Sequence, residues 1–218
     1  MAPLSPLPTA DLLAALPEAL RRLARHGEIK RYRKGHRLIQ EGDHGDTLFI
    51  ILSGRVRVFG SDDQDREITY GTYGAGEYHG EMSLDGGTRS ATVVTLEPCE
   101  CAVVTRQTLQ QHIAAHPEFA FDLLAKVIRR ARAATLSAKQ LALNDVYGRL
   151  VLLLNELAEP QPDGTRLIAQ RPTHREMASR LGCSREMVSR LMKDLEGGGY
   201  ASVLGAGLRV SSRLPARW

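Results

Sequence analysis

Apolar and polar positions follow three rhythms along this chain, and each predicts a different kind of element. Between about Ile29 and Thr105 the apolar residues fall into short runs, TLFIIL (47–52), GRVRVFG (54–60), EITYGTY (67–73), SATVVTL (90–96) and CAVVT (101–105). Val56 and Val58 alternate with Arg55 and Arg57, the period of two that a half-buried strand requires. Glycines at 35, 42, 45, 54, 71, 74 and 76 punctuate these runs. Many short strands with regular turns predict an antiparallel barrel or jelly roll, and nothing repeats closely enough for a propeller or solenoid. Ahead of them, Leu12, Leu13, Leu16, Leu20 and Leu23 sit at helical spacing, with Pro17 placed to break that helix in two. Residues 1–9 hold three prolines and no period, which predicts a poorly ordered lead-in.

From about Pro117 to Asn144 the rhythm changes to steps of three and four. Leu124, Ile128, Ala131, Thr135 and Ala138 form one row, and Val127, Ala134 and Leu141 its neighbour. A long helix with so narrow a seam does not bury itself on a small domain. Pairing with a second copy in a parallel dimer is the reading, against a helix laid on its own barrel. Val146 to Leu157 reads as an amphipathic helix, EPQPDG (159–164) as a loop, and Leu167 to Ala169 as a short strand.

The stretch Thr173 to Glu196 reads as two helices broken by a tight turn. Met177, Ala178 and Leu181 share a face of the first, and Gly182 supplies a position tolerant of positive φ. Ser184 caps a second helix whose apolar face is Met187, Val188, Leu191, Met192 and Leu195. Arg185, Glu186 and Arg190 are left on the polar side near its start, where a helix-turn-helix reads base edges in the major groove. Arg suits guanine O6 and N7, and Glu can accept from cytosine N4. Beyond it, Tyr200 to Val210, with Gly205 and Gly207, looks like a two-stranded wing.

GCSREMVSRLMKDLE resembles the recognition helix of the cyclic-AMP receptor protein and fumarate/nitrate regulator (CRP/FNR) superfamily, the cyclic-AMP receptor group in particular. The resemblance implies an α+β chain: a cyclic-nucleotide-binding jelly roll over 1–116, a long dimerisation helix over 117–144 and a winged helix-turn-helix over 145–218. It implies Arg185, Glu186 and Arg190 as base readers of TGTGA-like halves of a palindromic operator, with Thr173, His174 and Ser184 holding phosphates. It also implies a homodimer and RNA polymerase as a partner. Cys183 stands where that group usually has Cys.

Composition narrows this picture without changing it. The net charge of +4 permits nucleic-acid binding, and its distribution says more: residues 171–218 carry nine basic residues against four acids. A second basic cluster, Arg21 to Arg37, has eight against one, and reads as a solvated face or a polyanion surface. Three cysteines make no disulfide framework; Cys99 and Cys101, two apart, point to one strand face as half-buried core thiols. No run approaches the roughly 18 apolar residues of a membrane span, so a cytoplasmic protein with no membrane partner is expected. Cys and His are scattered and no nucleophile set, metal spacing or phosphate-loop glycine pattern occurs, which points away from an enzyme and from a metal.

The second informative stretch is GEYHGEMSLDGGTRSA (76–91). A glycine-flanked turn with an acid, followed by an Arg-Ser pair opening a strand, fits an anion pocket or a plain surface turn. It resembles the phosphate-binding cassette of cyclic-nucleotide-binding domains. That implies Gly80 and Glu81 for the ribose hydroxyl, Arg89 and Ser90 for the cyclic phosphate, and Arg130 of the long helix as a further phosphate contact. The cassette is one residue shorter than the commonest spacing of the superfamily. The two helix positions that bond adenine in the cyclic-AMP receptor group are Ala134 and Thr135 here, so one hydroxyl of the pair is lost. The expected effector is a cyclic nucleotide, cyclic AMP first. Cyclic di-GMP, haem or no effector at all are the alternatives, His79 being an axial haem ligand or a surface or second-layer histidine beside the phosphate.

Overall fold

The computed structural model describes residues 9–64 and 66–215. It divides into two compact units, one made of Met1–Gly60 with Thr69–Ala131, the other of Ser61–Ile68 with Arg132–Trp218. The division falls inside the long helix rather than at its ends.

The first unit begins with α1 (Thr9–Ala14) and α2 (Glu18–Ala24), separated at Pro17. The rest of the expected lead-in lies outside the described residues. Eight strands follow: β1 (Glu28–Tyr32), β2 (Arg37–Ile39), β3 (Thr47–Ser53), β4 (Val56–Ser61), β5 (Glu67–Tyr73), β6 (Tyr78–His79), β7 (Thr92–Thr95) and β8 (Cys99–Thr105). They form two four-stranded sheets, ordered β1-β8-β3-β6 and β2-β7-β4-β5. Pairings β1–β8, β3–β8, β3–β6, β2–β7 and β4–β7 are antiparallel.

β3 shows why the run TLFIIL is apolar throughout. Leu48, Ile50 and Leu52 pack with Leu20, Leu23, Val104, Leu109 and Phe119. The alternate residues Phe49 and Ile51 pack with Val56, Val58, Val93, Cys99 and Cys101. Both faces of the strand are covered, so both sets must be apolar. Cys99 and Cys101 do share a face, and they are fully buried rather than half-buried. Burial pushes the Cys101 thiol up to about 12, which keeps it protonated and unreactive.

The helix α3 (Arg106–Ala115) is capped by the Thr105 hydroxyl, which accepts from the Thr108 amide at 3.1 Å. After it comes α4 (Glu118–Leu143), whose only buried residues are Phe119 and Lys126. Its two apolar rows are open: Leu124 is 54% exposed and Ile128 41%.

In the second unit α5 (Val146–Leu157) is capped by Asp145. A four-stranded sheet, ordered β11-β12-β10-β9, uses β9 (Glu159–Pro160), β10 (Arg166–Ile168), β11 (Ala201–Leu204) and β12 (Gly207–Val210). The helices α6 (His174–Leu181) and α7 (Arg185–Gly197) lie between β10 and β11 in the chain. Leu150, Leu154, Met177, Leu181, Val188, Met192, Leu195 and Leu208 make its core. The β11–β12 hairpin turns through Gly205 and is the wing of the helix-turn-helix.

Candidate functional site

Strand β6 ends at Gly80, whose φ of 101° lies in the left-handed region. A Cβ there would stand 2.4 Å from the Thr47 carbonyl oxygen and 2.6 Å from Nη1 of Arg89, so only glycine fits. The chain then makes a short 3-10 turn, Glu81–Ser83. This is what turns the acid of the cassette inward.

Arg89 is buried and its guanidinium makes three hydrogen bonds. Nη1 donates to the Gly80 carbonyl at 3.0 Å and to Ser83 Oγ at 2.8 Å, and Nη2 donates to Thr47 Oγ1 at 3.0 Å. Gly45 makes room for it: a Cβ there would come within 2.7 Å of the guanidinium. Glu81 is buried too. Oε1 pairs with Arg130 Nη1, and Oε2 has no partner among the described residues. The other terminal nitrogen of Arg130 donates to the Tyr78 carbonyl at 2.7 Å and lies 3.2 Å from Nδ1 of His79.

Four of the expected effector residues, Gly80, Glu81, Arg89 and Arg130, thus meet around one turn. Ser90 does not join them. It is exposed, in the bend that precedes β7, and its hydroxyl donates to Met82 Sδ at 3.4 Å. Thr135 is an exposed residue of α4 that falls in the second unit. His79 is buried at 4% exposure, not at the surface. Burial, reinforced by Arg130 and Lys126, pushes its imidazole down to about 3, so it is neutral at pH 7.

Sequence reasoning missed four neighbours: Gly45, Thr47, Ser83 and Lys126. Lys126 pairs with Glu77 and sits over the Tyr78 ring, 4.0 Å from its centre. Its signal was present, since Lys126 and Arg130 are four apart and share a helix face. Gly45 and Thr47 had none, because they meet Arg89 only through the sheet.

In the second unit the Thr173 hydroxyl accepts from the Glu176 amide, and the Glu176 carboxylate accepts from the Thr173 amide at 2.6 Å, a capping box. Gly182 takes φ 63°, and Ser184 caps α7 by accepting from the Met187 amide at 3.2 Å. His174 Nδ1 lies 2.8 Å from Ser189 Oγ. Val188, Leu191, Met192 and Leu195 are buried while Arg185, Glu186 and Arg190 are exposed. No side-chain hydrogen bond or ion pair holds those three among the described residues. Thr173, His174 and Ser184 all have a structural task as well as their place on the expected phosphate-facing edge. Among the described residues no group of three or more His, Cys, Asp or Glu is placed to hold a metal ion. No described helix is long and apolar enough to cross a membrane.

A jelly roll with an arginine-lined cassette, followed by a long helix and a winged helix-turn-helix, defines a ligand-responsive DNA-binding transcription regulator rather than an enzyme. Residues 29–116 match the cyclic nucleotide-binding domain and residues 148–213 the Crp-like helix-turn-helix domain. The chain belongs to the CRP/FNR family. It is 33% identical over 198 residues to the CRP-like protein Clp of Xanthomonas euvesicatoria pv. vesicatoria, covering 85% of each chain. Among solved structures it is similar to the c-di-GMP responsive global regulator CLP of Xanthomonas campestris, with a TM-score of 0.78 and 28% identity over 89% of this chain and 99% of that one. It is also similar to the Thermus thermophilus catabolite activator protein, with a TM-score of 0.54 and 30% identity over 92% and 93% of the two chains.

Proposed function

We propose that the chain acts as a homodimer, gated by a cyclic nucleotide, that reads palindromic operators with TGTGA-like half-sites. The observation that carries this is the meeting of Arg89, Arg130 and Glu81 at the left-handed turn of Gly80. An effector phosphate competes with the Gly80 carbonyl and Thr47 Oγ1 for the donors of Arg89, offering a charge in place of neutral acceptors. The unpartnered Oε2 of Glu81 is the acceptor for a ribose hydroxyl. Ser90 turns inward to join the phosphate, and Arg130 and Thr135 extend the site along α4.

The open apolar rows of α4 support pairing of two copies along that helix. Nucleotide binding then shifts the dimer between two arrangements of its reading heads, provided that it binds the active arrangement more tightly. In that arrangement the two copies of α7 stand about 34 Å apart, one turn of duplex. Arg185, Glu186 and Arg190 read bases, while Thr173, His174 and Ser184 rest on phosphates and supply salt-dependent affinity. Output passes through RNA polymerase, in the cytoplasm.

Cyclic AMP is the first candidate effector. Cyclic di-GMP is the second, supported by the similarity to a regulator described as c-di-GMP responsive and by Ala134, which leaves one adenine contact unmade. Operator binding by the purified protein with cyclic AMP, cyclic GMP, cyclic di-GMP or no ligand separates the possibilities. A requirement for one nucleotide supports gating and names the effector. Equal binding in all four arms refutes gating.

A further inference from the structure

Four consecutive residues, 78–81, supply three acceptors to a single guanidinium. Arg130 gives Nη1 to Glu81 Oε1 and shares Nη2 between the Tyr78 carbonyl and His79 Nδ1. A guanidinium only donates, so Nδ1 must be the accepting nitrogen and the imidazole proton sits on Nε2. That Nε2–H is buried with no partner among the described residues. The ring stands edge-on to Tyr73, with centres 4.8 Å apart. Of the other cations nearby, Lys126 is held on Glu77 and over Tyr78, and Arg89 on the Gly80 carbonyl, Ser83 and Thr47, so Arg130 is the cation that pairs with Glu81.

We propose that His79 is a positioning residue of the effector pocket: through Nδ1 it holds Arg130 on Glu81 and so fixes the direction in which the free Oε2 of that carboxylate faces the effector. The proposal rests on the cassette being a nucleotide site. An apolar residue at 79 would pack against Tyr73 as well and would not bury an unpaired N–H, which costs stability. What it would not provide is the second acceptor for Nη2. Arg130 would then keep one carbonyl, one carboxylate and the Tyr73 ring, 5.7 Å from its Cζ, and with one directed bond fewer it would be freer to swing and to take Glu81 with it. The imidazole therefore trades stability for a fixed carboxylate.

The test uses the full chain and whichever of cyclic AMP, cyclic GMP or cyclic di-GMP the wild type binds most tightly, titrated by calorimetry at pH 7. His79→Leu is expected to weaken binding about tenfold, the effect of losing a hydrogen bond to a charged group. Its thermal midpoint should be no lower than that of the wild type. His79→Asn, which restores an acceptor, should recover most of the affinity. Against Arg130→Met the Leu substitution should add nothing, because its effect passes through the guanidinium. Wild-type affinity in His79→Leu, or losses that simply add in the double variant, would overturn the proposal. If the wild type binds none of the three nucleotides, the functional reading falls, and hydrogen exchange decides the clamp alone. Faster exchange at residues 78–83 in His79→Leu but not in His79→Asn supports it; unchanged exchange overturns it.

Discussion

His174 Nδ1 lies 2.8 Å from Ser189 Oγ, joining the first turn of α6 to the middle of α7. Met177 and Leu181 of α6 share an apolar cluster with Val188 and Met192 of α7, packing that has little direction, so this bond helps set the pitch at which α7 offers its exposed edge. Ser189→Ala should cost about 0.5–1.5 kcal/mol of stability. Operator affinity should fall with it, while the order of preference among half-site variants stays the same. Thermal denaturation and fluorescence anisotropy on a panel of half-sites check both parts; a changed order of preference would place Ser189 among the base readers instead.

Arg185 should behave in the opposite way. It is exposed and unpaired, so Arg185→Ala should move stability by no more than about 0.5 kcal/mol. If it reads a guanine, discrimination at that base pair should drop by about 1–3 kcal/mol. The comparison is between matched and mismatched half-sites at one salt concentration, since affinity alone also tracks charge. Unchanged selectivity would remove Arg185 from the proposed reading set.

Which features the sequence displayed follows from what makes each feature. β3 and the helix-turn-helix were legible because their signals are local: a strand covered on both faces must be apolar throughout, and Thr173, Gly182 and Ser184 mark helix ends by their own chemistry. β1 and β2 were not legible. They lie at sheet edges, and EIKRY keeps its charges in solvent, with Arg31 paired to Glu100 at 2.6 Å across the strands. The cassette was legible as a motif but not as a geometry. Arg130 meets Glu81 across 49 positions, and no local pattern announced that His79 would be buried or that Ser90 would face outward.

Two glycines of the cassette separate backbone strain from crowding. Gly80 and Gly86 have nearly the same φ, 101° and 99°, but a Cβ at Gly86 meets nothing within 4 Å. Gly86→Ala should cost only the strain of a left-handed alanine, about 1–2 kcal/mol. Gly80→Ala adds a clash with the backbone oxygen of Thr47 and with Arg89, so its loss should be larger and effector binding should vanish. Urea denaturation of both variants, with nucleotide titration, tests the ranking. Equal losses would mean that the turn yields more easily than its contacts imply.

The proposed dimer depends on rows that a charge would spoil. Ile128→Glu places a carboxylate on an exposed position of α4, where a lone chain would tolerate it. Sedimentation equilibrium should show wild-type dimers and variant monomers at micromolar concentration, with circular dichroism unchanged. Monomers in both samples would discard pairing through this face.

Acid should weaken the first unit through His79 in particular. Its imidazole is pushed down to about 3 in the fold, by burial first and by Arg130 and Lys126 after it, against 6.5 for an ordinary histidine. Below about pH 6.5 the unfolded chain therefore takes up a proton that the folded chain refuses. Stability rises with pH across this window, and this contribution is complete above it. As pH falls from 6.5 towards 3 the loss approaches about 1.4 kcal/mol for each pH unit. Acid acts on many groups at once, so the wild-type curve alone does not isolate the histidine. The difference between wild type and His79→Leu does. Between pH 6.5 and 4.5 the wild type should lose about 2–3 kcal/mol more than the variant in denaturant titrations. Parallel curves would show that the ring accepts a proton within the fold, and the Nδ1 contact with Arg130 would have to be given up.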